Sequence, residues 1–277
     1  MSAVAQPTRR PSSERSHGGV TQTRVLRSEW TKLWSLRSTR WSLLTAVVGM
    51  AGLGMLIAAF RMGHWSHLSA QERASYDPID NGVGGYHLAQ LAIGVLGVLV
   101  ISGEYATGMI RSSFMAVPHR LPVLWAKAAT FAAVTFTLML PSTFVSFLGV
   151  QAIVSQHHLQ ASLGDPHALR AIVGTALFLT VLAVLAVGIG GLVRSTAGGI
   201  ATLVGLLFVL PGITALLPSN LGDAISPYLP LNAGFAVATS TFDNSHHLTP
   251  WTGFAVFCGY AALALGLAAL TLIRRDA

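Results

Sequence analysis

The sequence predicts an all-α polytopic membrane protein. It has six transmembrane helices, an N-terminal interfacial helix, and a short helical connector on the cytosolic side between spans two and three. Three observations predict it. Hydrophobic residues make up 52% of the chain and charged residues 10%, with a mean hydropathy of +0.61. Soluble domains carry about 25% charged residues, so this chain lacks the polar cover that water requires. Six windows are apolar over the ~20 residues that a ~30 Å hydrocarbon core demands. The cations, finally, gather in alternate flanks of those windows.

Taken in order, residues 1–21 (MSAVAQPTRRPSSERSHGGVT) read as a disordered cytoplasmic tail. Residues 22–277 form a single six-span domain. From Arg24 to Arg40, Leu26, Trp30, Leu33 and Trp34 fall at helical spacing, with Arg27, Lys32 and Arg37 supplying cations. This predicts an amphipathic helix at the inner interface, its tryptophans Trp30 and Trp34 at headgroup depth and Lys32 beside them. The charged region is too long, and the next apolar run too full, for a cleaved signal peptide.

The spans follow at Trp41–Phe60, Tyr86–Gly103, Ala126–Val154, Leu169–Val193, Gly198–Leu217 and Thr252–Ile273. His87 and Gln90 weaken the start of the second. Pro141 in the third and Pro211 in the fifth predict a bend or break. The glycines at 49, 52 and 54 and at 188, 190 and 191 predict close helix packing. Between the fifth and sixth spans, ISPYLPLNAGFAVATS is too apolar for a free loop and too short to cross. It predicts one or two short helices dipping back and packed on protein.

With the N-terminus inside, the cytoplasmic flanks hold fourteen lysines and arginines and the outer flanks only Arg61, Arg73 and Arg170. Both termini are therefore expected in the cytoplasm, in a multi-pass protein of the plasma membrane. Eight of the seventeen cations lie in the first forty residues. That placement accounts for a pI near 10.3 by attraction to an anionic bilayer surface, and no nucleic-acid partner is expected.

What the spans lack narrows the function. Lys127 and Arg170 each stand second in their windows, and no other Asp, Glu, Lys or Arg falls within the six. Ion-coupled carriers place such groups at mid-membrane, so a self-powered transporter is disfavoured. There is no HExxH, no GxSxG and no GxxxxGK[ST] phosphate loop. His157–His158 and His246–His247 are adjacent pairs in outer loops, and chain neighbours rarely both reach one metal. No catalytic, cofactor or metal site is assigned, and the chain is not expected to be an enzyme. The lone Cys258 reads as a packing residue.

The connector EYATGMIRSSFMAVPHRLPVLWAK, Glu104 to Lys127, combines an acid, three cations and two prolines. Residues 104–117 are helix-compatible, with Pro118 and Pro122 breaking the path before the third span. Positive-inside charge accounts for Arg111, Arg120 and Lys127, but not for Tyr105, Met109, Ile110, Phe114 and Met115. Apolar side chains at an aqueous face call for a partner. Glu104, standing at the expected start of a helix, would be favoured there by the backbone dipole or held by a charged contact across an interface.

Three stretches carry a family resemblance: LRSEWTKLWSLRSTRWSLL (Leu26 to Leu44), the spacing Glu104, Gly108, Ile110, Arg111, Pro118, Arg120, Lys127, and YLPLNAG (Tyr228 to Gly234). In this order along six spans, from about residue 22 to the end, they resemble the membrane subunit of a type-2 ABC transporter of the bacterial exporter class. The resemblance implies that the connector is a coupling helix, with Glu104, Tyr105, Gly108, Arg111, Phe114, Pro118 and Arg120 facing a separate ATPase. It also implies two ATPase copies that bind ATP and Mg, and a second permease, identical or not. The substrate would move outward. The alternative from the residues alone is a non-transporting membrane scaffold or sensor that docks a cytosolic partner on the same connector.

Overall fold

The computed structural model describes residues 22–108, 120–240 and 248–274, which form helices and turns with no strand. The helices are α1 (Gln22–Ser35), α2 (Arg37–Gly63), α3 (Ala70–Ala74), α4 (Pro78–Gly82), α5 (Tyr86–Ala106), α6 (Arg120–Val154), α7 (Ala168–Val193), α8 (Thr196–Val204), α9 (Leu210–Thr214), α10 (Ser219–Ile225), α11 (Pro230–Phe235) and α12 (Pro250–Arg274). Six helical stretches are long and apolar enough to cross a membrane: α2, α5, α6, α7, the joined α8–α9, and α12. Helices suit such a sequence because hydrocarbon offers no partner for an open backbone group.

Helix α7 is the hub. It packs on α5, α6 and α12, while α2 lies outside against α5 and α6. Of the apolar window in α7, 72% is buried, against 17% for the stretch Thr196–Thr214 at the periphery. Glycines set the closeness of the hub contacts. A Cβ on Gly190 would stand 2.8 Å from the Val98 carbonyl oxygen in α5, and one on Gly188 would stand 2.8 Å from the Leu265 nitrogen in α12. The glycines at 188 and 190 thus serve close packing, as do Gly49 and Gly54 in α2, whose added Cβ would meet Leu88 and Ser146. Gly52 between them meets nothing.

Neither proline breaks its helix. Helix α6 runs without interruption through Pro141. The neighbouring hydroxyls of Ser142 and Thr143 donate back into the preceding turn, to Leu138 O at 2.6 Å and Leu140 O at 2.8 Å. Before Pro211 the chain opens into a π-turn, Gly205–Val209, instead of breaking. The wider turn moves the carbonyls that the ring would otherwise strike.

The end of the bundle far from α1 is closed by short segments. Asp77 caps α4, accepting from the backbone N–H of Ile79 and Asp80 at 2.7 and 3.0 Å. The Ser240 backbone N–H donates to Asp80 at 2.6 Å and its hydroxyl to Asp77 at 2.5 Å, tying α4 to the stretch after α11. Burial, outweighing the bond from Ser240, pushes the Asp80 carboxyl up from its ordinary value. Helix α11 itself packs on α12, with Ala233 and Gly234 buried. The apolar stretch between spans five and six is thus short helix against protein.

Candidate functional site

Four charged side chains from three helices meet at the end of the bundle that carries α1. The buried face of α1 is Val25, Glu29 and Leu33, one residue every helical turn. Val25 packs with Val123 and Ala126 of α6. An acid in the middle of that face would be costly alone, but Lys127 of α6 stands opposite it. The Lys127 ammonium donates to Glu29 at 2.6 Å and to Glu104, in the last turn of α5, at 3.0 Å. Lys32, one turn along α1, donates to Glu29 at 2.7 Å and to Glu104 at 3.2 Å. Two carboxylates and two ammoniums alternate around a closed, neutral ring. Glu29, Glu104 and Lys127 are buried, and Lys32 reaches the edge. One Glu104 oxygen, Oε2, is buried without a hydrogen bond.

The electrostatics favour the charged forms of Glu29 and Lys32. Burial would raise the Glu29 carboxyl, but the charge and hydrogen bonds of Lys127 and Lys32 outweigh it and hold the group below its ordinary 4.5. Burial would lower the Lys32 ammonium, yet Glu29 and Glu104 together hold it above its ordinary 10.5.

This geometry corrects the expectation for Glu104. It stands in the last turn of α5 rather than at the start of a helix. Helix α5 ends at Ala106, and Gly108 takes a left-handed backbone at φ +71°, donating its N–H to Tyr105 O. Glycine adopts that conformation without the Cβ penalty that other residues pay, and so ends the helix. An acid in a helix's final turn is opposed by the dipole, and it is the two lysines that make Glu104 stable there. Among the described residues its charged contacts are Lys32 and Lys127.

The remaining predicted residues divide. Tyr105 lies under the Arg194 guanidinium, whose carbon is 5.2 Å from the ring centre. Arg194, in the two-residue turn between α7 and α8, also donates to Thr271 O of α12 at 2.9 Å. The connector's first residues are therefore tied to α7 and α12 as well as to α1. Trp30 and Trp34 face away from the bundle, exposed and in ring contact at 5.8 Å. Arg120 begins α6. Arg111, Phe114 and Pro118 lie outside the described residues, as do His246 and His247.

Glu29 and Lys127 are what the sequence reading left out of the site. The signal existed: Glu29 is the one acid between residues 22 and 40, and Lys127 is the lone charge in its apolar window. Isolated charges of opposite sign in neighbouring segments are candidates to meet. No protein-family model matches the chain, and no curated protein sequence does.

Proposed function

We propose that this chain is the membrane-spanning permease subunit of an ATP-driven exporter of the type-2 ABC class, lying in the plasma membrane with its α1 end in the cytoplasm. A separate ATPase, in two copies with ATP and Mg, would supply the energy, and a second permease would complete the pore. The observation that carries this reading is the ion-pair ring. Glu104 and Lys127 flank the connector on its two sides, and each is clasped to α1, Glu104 by Lys32 and Lys127 by Glu29. A push on the connector therefore reaches α1, α5 and α6 together through short, charge-assisted bonds that resist stretching. A loop acting only as a covalent turn has no need of such a clasp.

The test is a search for an ATPase reading frame beside the gene and purification of the chain with its product. The expected outcome is a stable complex whose ATP hydrolysis rises with transported compounds, while the chain alone shows no saturable ATP affinity. Phe114→Ala should weaken the complex. Glu104→Gln, which keeps shape and removes one charge of the ring, should lower stability by a few kcal/mol and, in the protein that still assembles, uncouple hydrolysis from substrate. A chain that never associates with the ATPase, or a Glu104→Gln variant that couples like the parent, would remove the basis of the proposal.

A further inference from the structure

At the same end of the bundle, α2 carries a cleft of about 350 Å³ lined by Arg37, Arg40, Trp41 and Leu44. These positions are spaced three and four apart and share one side of the helix. Among the described residues neither guanidinium has an ion pair or a side-chain hydrogen bond. Two cations side by side without a counter-charge repel, and they are matched by a ligand that brings negative charge. Guanidinium presents paired donors that fit the oxygens of a phosphate.

The cleft does not end in water. Trp41 is 68% exposed and Leu44 48%, and the same side of α2 continues through exposed Val48, open Gly52 and exposed Leu56. This is a polar head site followed by an apolar track along a membrane-spanning helix, with a tryptophan at the level where aromatic rings meet headgroups. Inorganic phosphate would use the arginines and leave the track bare. An anionic phospholipid uses both.

We infer that Arg37, Arg40, Trp41 and Leu44 form a binding site for one anionic phospholipid, its phosphate on the two guanidiniums and an acyl chain along Leu44, Val48 and Leu56. The site lies where α1 turns into α2, so an occupied site adds a headgroup beside the outward-facing Trp34, 38% exposed, and Leu36, 53% exposed.

Native mass spectrometry of the purified full-length chain in detergent tests this, with dioleoyl phosphatidylglycerol and dioleoyl phosphatidylcholine as probes. A cation near an anionic lipid surface contributes roughly fivefold in affinity. With two arginines, phosphatidylglycerol should therefore hold at least one site roughly 25-fold more tightly than phosphatidylcholine. Arg37→Gln/Arg40→Gln should lose that preference by about tenfold or more. Arg24→Gln/Arg27→Gln, which removes the same charge from α1, should keep it. Trp41→Ala should weaken both lipids alike. A thermal melt and an unchanged elution profile establish that each variant is folded, and the single Arg37→Gln variant, expected to lose about fivefold, stands in if the double variant is not. Equal loss in the α1 pair would mean diffuse attraction and would overturn the site. Displacement of phosphatidylglycerol by millimolar inorganic phosphate would mean a small-anion site, and retention of the preference without Arg37 and Arg40 would mean no site here.

Discussion

At the residue scale the governing fact is that Glu29, Glu104 and Lys127 are buried together, so each is stable only because the others are charged. Lys127→Met leaves two carboxylates sharing Lys32, and removal of one member of a buried pair costs about 3–5 kcal/mol. A loss of that size is expected in denaturation of the purified chain, and Glu104→Gln added to Lys127→Met should recover part of it by removing the orphaned charge. If the double variant is no more stable than the single one, the ring is not energetically coupled. The pH response follows from the signs. Glu29 is held below its ordinary 4.5, so its contribution is complete above that value and is lost only as pH falls through the lower folded value. Lys32 is held above 10.5, so its contribution is complete below that value and is lost as pH rises through the higher folded one. Protease protection of α1 should therefore be flat from about pH 5 to 10 and decline only in acid, as pH falls from about 4.5 through the lower folded value of Glu29. Release of α1 near neutral pH would contradict this. Gln90 poses the reverse case. It is fully buried with both amide atoms unpaired, a cost of about 1–3 kcal/mol. Gln90→Met should raise the melting temperature.

At the element scale, glycine placement decides how near the helices lie. The Gly85 Cα, at the start of α5, rests on the α2 backbone so closely that a Cβ would stand 1.7 Å from the Met50 carbonyl oxygen, which has no flexible end to move aside. Gly85→Ala should destabilise severely, by several kcal/mol, as overpacking against a backbone does. Gly52→Ala, two residues along α2 from Met50 and facing nothing, should be neutral or gain up to about 1 kcal/mol of helix propensity. Melting temperatures of the two variants in detergent separate these outcomes, and equal losses would place α2 elsewhere. Gly49, Gly52 and Gly54 all sit in one apolar stretch. Only the three-dimensional neighbour distinguishes them, and for that reason the sequence reading grouped Gly49, Gly52 and Gly54 as one packing feature.

For the whole molecule, the ion-pair ring with Arg194 lies at one end and the Asp77–Ser240 clasp at the other. Cysteines placed at exposed Ser69 and Gln160 should react with an impermeant thiol reagent from one side of the membrane, and cysteines at Ser35 and Thr107 from the opposite side, in a Cys258→Ser background. The charge asymmetry puts the first pair outside in intact cells. Labelling of Thr107 together with Ser69 would break the six-span arrangement.

Composition and charge placement by themselves determined the helical class, the six apolar stretches and the amphipathic helix before them. These follow from local rules: an apolar run of bilayer length must be helical, and its neighbours' charges are visible in the same few residues. The folded-back stretch after Tyr228 was legible for the same reason, because its apolar length fits neither a span nor a free loop. Tertiary structure alone decided where Glu104 points, that Glu29 sits 98 positions from its partner Lys127, and that Ser240 reaches across to Asp77 and Asp80. A helix's own pattern states which of its faces is apolar, but a buried charge is tolerable only through a partner elsewhere in the chain, and the distance between them along the sequence carries no trace of their distance in space.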